Sequence, residues 1–310
     1  MGKIKYGREV YKNFGECLTV TNGLFEMYIT IEKGPRIIKF NPIGKENIMF
    51  EDIDRIMNNP KGSLAPYYDA DDEWFIYGGH RFWVSPESWP ETYYPDNEKV
   101  DVEICGNSVM LCPPTQRFTG LFEKLVLTFS EVSMTVSVKH ILENRGESPK
   151  ECAIWAITVL SQHGLCVVPQ SDEKTGLLSN RTLMLWPYTD LYDSRLCLGN
   201  RYIALRQDTD AKCSLKFGIN NRDGEIYYFN HGYCFKKSFI TDHKHLVYPD
   251  NGCSSEVYTN RLFLEAESLG ALVSLHPGNK TTHTEIWQLS NDVQAPGFTE
   301  NDFESAIQTL

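Results

Sequence analysis

Alternation with a period of two runs through this chain and constrains its fold more than any other feature. In "VSMTVSV", Val132, Met134, Val136 and Val138 share one face, and Ser133, Thr135 and Ser137 take the other. A strand turns successive side chains to opposite faces, so this pattern is that of a half-buried strand. The preceding "LVLTF" sets Leu125, Leu127 and Phe129 in step, and the intervening "SE" predicts a tight turn. Asn22-Gly23 lies between two strand-like runs. That dipeptide favours a hairpin because both central residues of the turn need positive φ. Gly106-Asn107 repeats the design, and Gly270 separates two more runs in "LFLEAESLGALVSL".

Helical signals are few. In "TENDFESAIQTL", Thr299 and Asp302 predict a capped C-terminal helix whose apolar face is Phe303, Ile307 and Leu310. A short helical turn is expected near "SPESWPE". Strands punctuated by turn residues predict an all-β protein, a large antiparallel β-sandwich with a short C-terminal helix. "NRGESP" reads as a turn, and nothing reads as a linker, so residues 1–310 are expected to form a single domain.

Charge narrows the partners. The net charge is −11, and the 30 lysines and arginines are scattered. Phosphate backbones and anionic membranes reward clustered positive charge, so neither nucleic acid nor membrane is an expected partner. The N-terminus lacks the apolar core of a secretory signal, and Tyr6 stands where a myristoylation signal wants Ser or Thr. Nine cysteines, an odd number with no C-x-x-C pair, are expected to be reduced and mostly buried in a cytoplasmic protein. No phosphate loop, dinucleotide-binding glycine motif or serine-nucleophile elbow is present, and no cofactor is expected.

The segment "YGGHRFWVSPES" carries the densest chemistry. His80 offers a proton near neutral pH, Arg81 a fork of donors, and Trp83 a flat apolar face. On an extended segment Arg81 and Trp83 share one face and His80 lies opposite, unless Gly78 and Gly79 bend the chain. Arg81 as a structural ion-pair partner and Trp83 as core are equally open readings. Glu256, in "CSSEVYT", is a carboxylate in an otherwise uncharged strand and needs a partner, catalytic or cationic. Glu265 and Glu267 share a strand face in "LEAES" and rank below it. His163 is a loop histidine that could act as an acid. His243 and His245 in "DHKH" lack a third ligand, and Asp69–Glu73 lacks the EF-hand pattern, so no metal is expected.

Several of these stretches, taken in order, resemble the galactose mutarotase-like superfamily of aldose 1-epimerase-like proteins. "KGPRIIKFNPIGKENIMF" is similar to its early Gly-x-Arg-Ile strand, and "GGHRFWVSPE" to the Gly-Gly-x-Arg-x-Trp-x-x-Pro-Glu element of a poorly characterised branch. "YPDNGCSSEVYTNRLFLEAESLG" resembles the late segment in which a glutamate points into the sugar site. The resemblance implies a supersandwich and a small-molecule carbohydrate ligand. It implies a site in which Glu256 is the base, His80 or His163 the acid, and Arg81, Trp83, Trp155 and Glu265 bind substrate. Arg36 matches the family's early arginine and reads as mainly structural. One departure matters: "AIWAITVL" holds Trp155 where the aldose 1-epimerases carry their acid histidine. A mutarotase-like or epimerase-like isomerase is therefore weighed against a non-catalytic carbohydrate-binding protein. A glycoside-cleaving enzyme using two of Glu87, Glu256, Glu265 and Glu267 ranks third. The sugar and the oligomeric state are left open.

Overall fold

In the computed structural model, which describes residues 2–69 and 72–310, the alternating runs form two antiparallel sheets. The first has at its centre the strands Ile37–Pro42, Gly79–Ser85, Lys150–Leu160, Leu264–Leu269, Ser255–Thr259 and Leu215–Ile219, hydrogen-bonded in that order. Lys5–Val10, Glu16–Thr21 and Phe25–Thr30 extend it on one side and Leu183–Leu185 on the other. The second runs Leu196–Leu198, Tyr202–Arg206, Leu165–Pro169, Glu225–Asn230, Tyr233–Phe239, Lys280–Asn291, Thr135–Asn144, Leu121–Phe129, Ser108–Cys112 and Asp101–Cys105.

The sheets pack face to face through their alternate apolar residues. Phe40 of the first meets Phe235 and Trp287 of the second with ring centroids 6.3 and 5.9 Å apart, and Phe25 meets Phe129 at 6.1 Å. Trp287 is fully buried, which is worth about 1.5–3 kcal/mol per such side chain. A second apolar cluster, with Trp74, Trp83, Trp155 and Phe263, lies on the other face of the first sheet. A sheet covered on one side and carrying aromatics on the other has a ready-made floor for a ligand.

A hairpin forms at Asn22-Gly23 as expected, joining Glu16–Thr21 to Phe25–Thr30, but only Gly23 takes positive φ, +89°, while the Asn22 side-chain carbonyl accepts from the Leu24 N–H at 2.9 Å. The C-terminal helix is Glu300–Ile307, capped reciprocally by Thr299 and Asp302, with Phe303 fully buried. The helical turn expected near "SPESWPE" is a 3-10 turn at Glu91–Tyr93. Two expectations change. The strand begins at Thr135 rather than Val132, because Ser130 to Met134 form the turn and Val132 is exposed. Nor does Gly270 fold the chain back. Leu264–Leu269 and Val273–Leu275 both pair with Lys150–Leu160, with Leu269 opposite Trp155 and Val273 opposite Cys152. One side advances one residue more than the other, which is the count of a β-bulge. Five cysteines (17, 152, 166, 234 and 253) are buried. Of the acidic stretch Asp69–Glu73, Asp71 lies outside the described residues, while Asp69 and Asp72 pair with Arg117 at 2.6 and 3.5 Å. Among the described residues no helix is long and apolar enough to cross a membrane.

Candidate active site

Strict alternation along Gly79–Ser85 decides which groups reach the outer face of the first sheet. Arg81 and Trp83 do; His80 and Phe82 point into the packing between sheets. The two glycines before them do not bend that pattern. They allow backbone to pass against backbone, since a Cβ on Gly78 would lie 2.1 Å from the Phe50 carbonyl oxygen and one on Gly79 2.3 Å from that of Ile37. Both adopt positive φ, +97° and +65°, which favours glycine.

Pairing registers then place distant residues in rows across the sheet. Arg81 lies opposite Ile157, Ile157 opposite Glu267, Glu267 opposite Glu256, and Glu256 opposite Gly218. The neighbouring row brings Glu265 beside Tyr258 and Tyr258 beside Lys216. Like charges directly across a strand pair repel. Lys216 resolves this for Glu256 and Glu267, its ammonium lying 2.6 Å from one carboxylate and 3.0 Å from the other. Its nitrogen also sits 4.8 Å from the Trp155 ring centre and 4.6 Å from that of Trp186. Trp155 donates its Nε1–H to Glu267 at 2.7 Å. An ammonium has three donors, and the two carboxylates account for two of them.

Arg81, Trp155, Ile157, Lys216 and Glu265 floor a cleft of about 370 Å³, walled by Trp74, Tyr93, Trp186, Tyr188 and Tyr258, while Glu256 and Glu267 are buried against Lys216. At its Arg81 end the guanidinium lies 4.0 Å above the Trp83 ring and donates from Nη2 to Glu265 at 3.2 Å. The Nε and Nη1 of Arg81 have no hydrogen-bond partner although buried. Such orphaned donors cost about 1–3 kcal/mol each and call for an explanation. Burial pushes the Glu265 carboxyl up to about 7, with Arg81 opposing and Glu267 adding to the rise. Burial also holds Glu256 well above the usual carboxylate range, against the pull of Lys216. Lys216 is desolvated too, but Glu267 and Glu256 outweigh that and keep its pKa raised. The cleft thus holds a firmly protonated cation and a carboxyl poised near neutrality.

Two expected acids lie elsewhere. His80 is fully buried between the sheets, its Nε2 2.8 Å from Nε2 of His140 and its Nδ1 2.9 Å from Thr158 Oγ1. Alternation put it there, on the face opposite Arg81. His163 is exposed in the turn after Lys150–Leu160 and borders a different depression with His231 and Glu46. Glu256, expected as the base, does not line the cleft: it is buried against Lys216, whose ammonium lies 2.6 Å away. Trp155, Trp83, Arg81 and Glu265 line this one cleft.

The ligating atoms of His80, His140 and Glu285 lie within 4.8 Å of one another, which raises the question of a metal. The donor set does not fit one. The His283 carbonyl can only accept, so His140 carries its proton on Nδ1 and accepts at Nε2 from His80. His80 then accepts from Thr158, and every ring nitrogen is satisfied with both imidazoles neutral. Glu285 already has Lys237 at 2.8 Å and the Trp287 indole N–H at 2.8 Å. Carboxylate and ammonium balance, and a divalent cation would add two uncompensated buried charges.

Lys216, Trp74, Trp186, Tyr93 and Tyr188 were not singled out in the sequence. Lys216 had a signal: it is the lone charge in the strand "LKFGI" and faces away from Leu215, Phe217 and Ile219.

No family model matches the chain, and no curated protein does. Solved structures do. A "putative aldose 1-epimerase" from Klebsiella pneumoniae aligns over 100% of this chain and 87% of its own, with a TM-score of 0.58 at 12% identity. Galactose mutarotase-like proteins from Lactobacillus casei and Clostridium acetobutylicum each reach a TM-score of 0.54, at 10% and 9% identity. They align over 88% and 93% of this chain, and over 100% and 99% of their own. The protein is a two-sheet antiparallel sandwich with an aromatic, carboxylate-rich cleft on one sheet. Its fold is shared with these mutarotase-like structures.

Proposed function

We propose that the protein binds a carbohydrate in the Arg81–Trp83–Lys216–Glu265 cleft and acts on it as a mutarotase-like or epimerase-like isomerase. The observation that carries this reading is the placement of Glu265, a carboxyl pushed up to about 7 by burial, and the Lys216 ammonium in one cleft lined by tryptophan rings. Indole faces suit the C–H faces of a sugar ring, and the orphaned Arg81 donors suit its hydroxyls. Structural neighbours named for mutarotase and aldose 1-epimerase activity support the choice of reaction.

In this reading Glu265 takes the proton of the anomeric hydroxyl as the bond from C1 to the ring oxygen breaks. Lys216 hydrogen-bonds the ring oxygen and stabilises its developing charge. The ring oxygen takes a proton from the Lys216 ammonium as C1 becomes an aldehyde, and Lys216 recovers it when the ring closes. Rotation about C1–C2 and the reverse steps close the ring on the other face, and the protons return. Glu265 replaces Glu256 as the base, since only the former has both an opening to the cleft and a pKa near working pH. Lys216 takes the place of the family's histidine.

A non-catalytic carbohydrate-binding protein is the second reading, favoured by the lack of any histidine in the cleft lining. Polarimetry separates the two. A single freshly dissolved anomer should approach equilibrium faster with protein than in buffer, for at least one sugar of a panel. Binding without acceleration for every sugar bound would select the second reading.

A further inference from the structure

The cleft has a second side. Trp83 also borders a separate hollow of about 310 Å³, lined among others by Ser85, Ser88, Thr92, Glu123 and Lys150. The segment 86–93 runs between the two, with Glu87 and Tyr93 lining the cleft and Ser88, Glu91 and Thr92 the hollow. In the middle of that segment Trp89 is 45% exposed. Its ring centre lies 5.4 Å from Tyr93 and 6.2 Å from the exposed Tyr67. Tyr93 in turn lies 5.2 Å from both Trp74 and Trp83. Aromatic rings therefore continue without a break from the cleft floor to solvent.

The hollow suits a neutral, hydroxyl-rich ligand. The Ser85 hydroxyl that lines it is buried, 1% exposed as a residue, and has no hydrogen-bond partner. Burial and the nearby Asp96 push the Glu123 carboxyl up to about 8, against Arg36 and Gln116, so at neutral pH it can donate as well as accept. Lys150 at the rim is outnumbered by Glu91 and Glu151, so an anion would meet more repulsion than attraction. A polar hollow without excess positive charge, beside an exposed indole and sharing a wall with a sugar cleft, is a place for another sugar.

We propose that the ligand is an oligosaccharide rather than a free monosaccharide, its terminal unit in the Arg81 cleft, its next unit across Trp89, and a further unit in the hollow at Ser85. This rests on the carbohydrate reading of the cleft. Isothermal titration with glucose, maltose and maltotriose, and with xylose, xylobiose and xylotriose, tests it on the full chain. In the series that binds, the trisaccharide should bind about tenfold more tightly than its monosaccharide. Trp89→Ala should remove that gain while leaving monosaccharide affinity within about twofold, and Trp89→Phe should restore most of it. Equal affinity for mono- and trisaccharide in the wild type overturns the proposal and leaves the cleft reading standing. So does a Trp89→Ala loss that is the same at every length. No binding at any length overturns the cleft reading, and this one with it.

Discussion

Replacing Glu265 by Gln separates proton transfer from shape. The amide keeps the volume of the carboxylate and its carbonyl can still accept from Arg81 Nη2, 3.2 Å away, but it takes no proton at neutral pH. A positioned general base contributes about 10²–10⁴-fold, so the variant should lose about 3–5 kcal/mol of barrier lowering. Sugar affinity should change little. The wild-type rate should fall about tenfold per pH unit below an inflection near 7, because that is where burial has moved this carboxyl from its ordinary 4.5. The same shift fixes a stability signature. A carboxyl whose folded pKa lies above its unfolded value contributes stability in acid, and that contribution is lost as pH rises from 4.5 to about 7. The Gln variant should lack this component of the pH dependence of melting. The assay is polarimetric mutarotation from about pH 5 to pH 9, corrected for buffer, alongside melting curves. A Gln variant with wild-type rate, or a wild-type rate with no inflection, would refute Glu265 as the base.

Arg81→Ala should weaken substrate and transition state together, raising KM and lowering kcat/KM, and should move the rate inflection above 7 because Arg81 now holds Glu265 down. Lys216→Met should leave Glu256 and Glu267 facing each other without a cation and cost about 3–5 kcal/mol in chemical denaturation at pH 8. His80, His140 and His283 are held neutral by burial, the last two down to about 4, so stability present above pH 6.5 should be lost progressively as pH falls toward 4. The unfolded chain binds those protons first, and His140 and His283 can each account for about 3 kcal/mol between pH 6.5 and pH 4, read from denaturation midpoints at pH 7 and pH 4.

Local signals carried the strands well and their partners poorly. Asn22-Gly23 specified its own hairpin because turn and register are set within a few residues. Gly270 misled because a glycine marks a bulge as readily as a turn, and only the continuous partner strand Lys150–Leu160 distinguishes them. Alternation assigned Arg81 and Trp83 to one face and His80 to the other. The adjoining glycines suggested an escape from that rule, but their role is close backbone approach. Glu256 was correctly read as needing a partner, yet that partner, Lys216, is 40 positions away and meets it through the pairing of Leu215–Ile219 with Ser255–Thr259. Glu265 ranked low because its value comes from burial beside Arg81, a residue 184 positions distant. Trp186 and Tyr188 arrive on a segment with no pattern of its own, and the cleft alone gives them meaning.

The central claim is that a sugar sits on the outer face of the first sheet between Arg81 and Lys216. A crystal soaked or grown with the tightest-binding sugar of the titration series tests it most directly. The account predicts a ring stacked on the cleft tryptophans, its anomeric hydroxyl within hydrogen-bond distance of Glu265 and its ring oxygen within reach of the Lys216 ammonium. A ring bound at the His163–His231 depression, or in the cleft with its anomeric carbon turned away from Glu265, would contradict it.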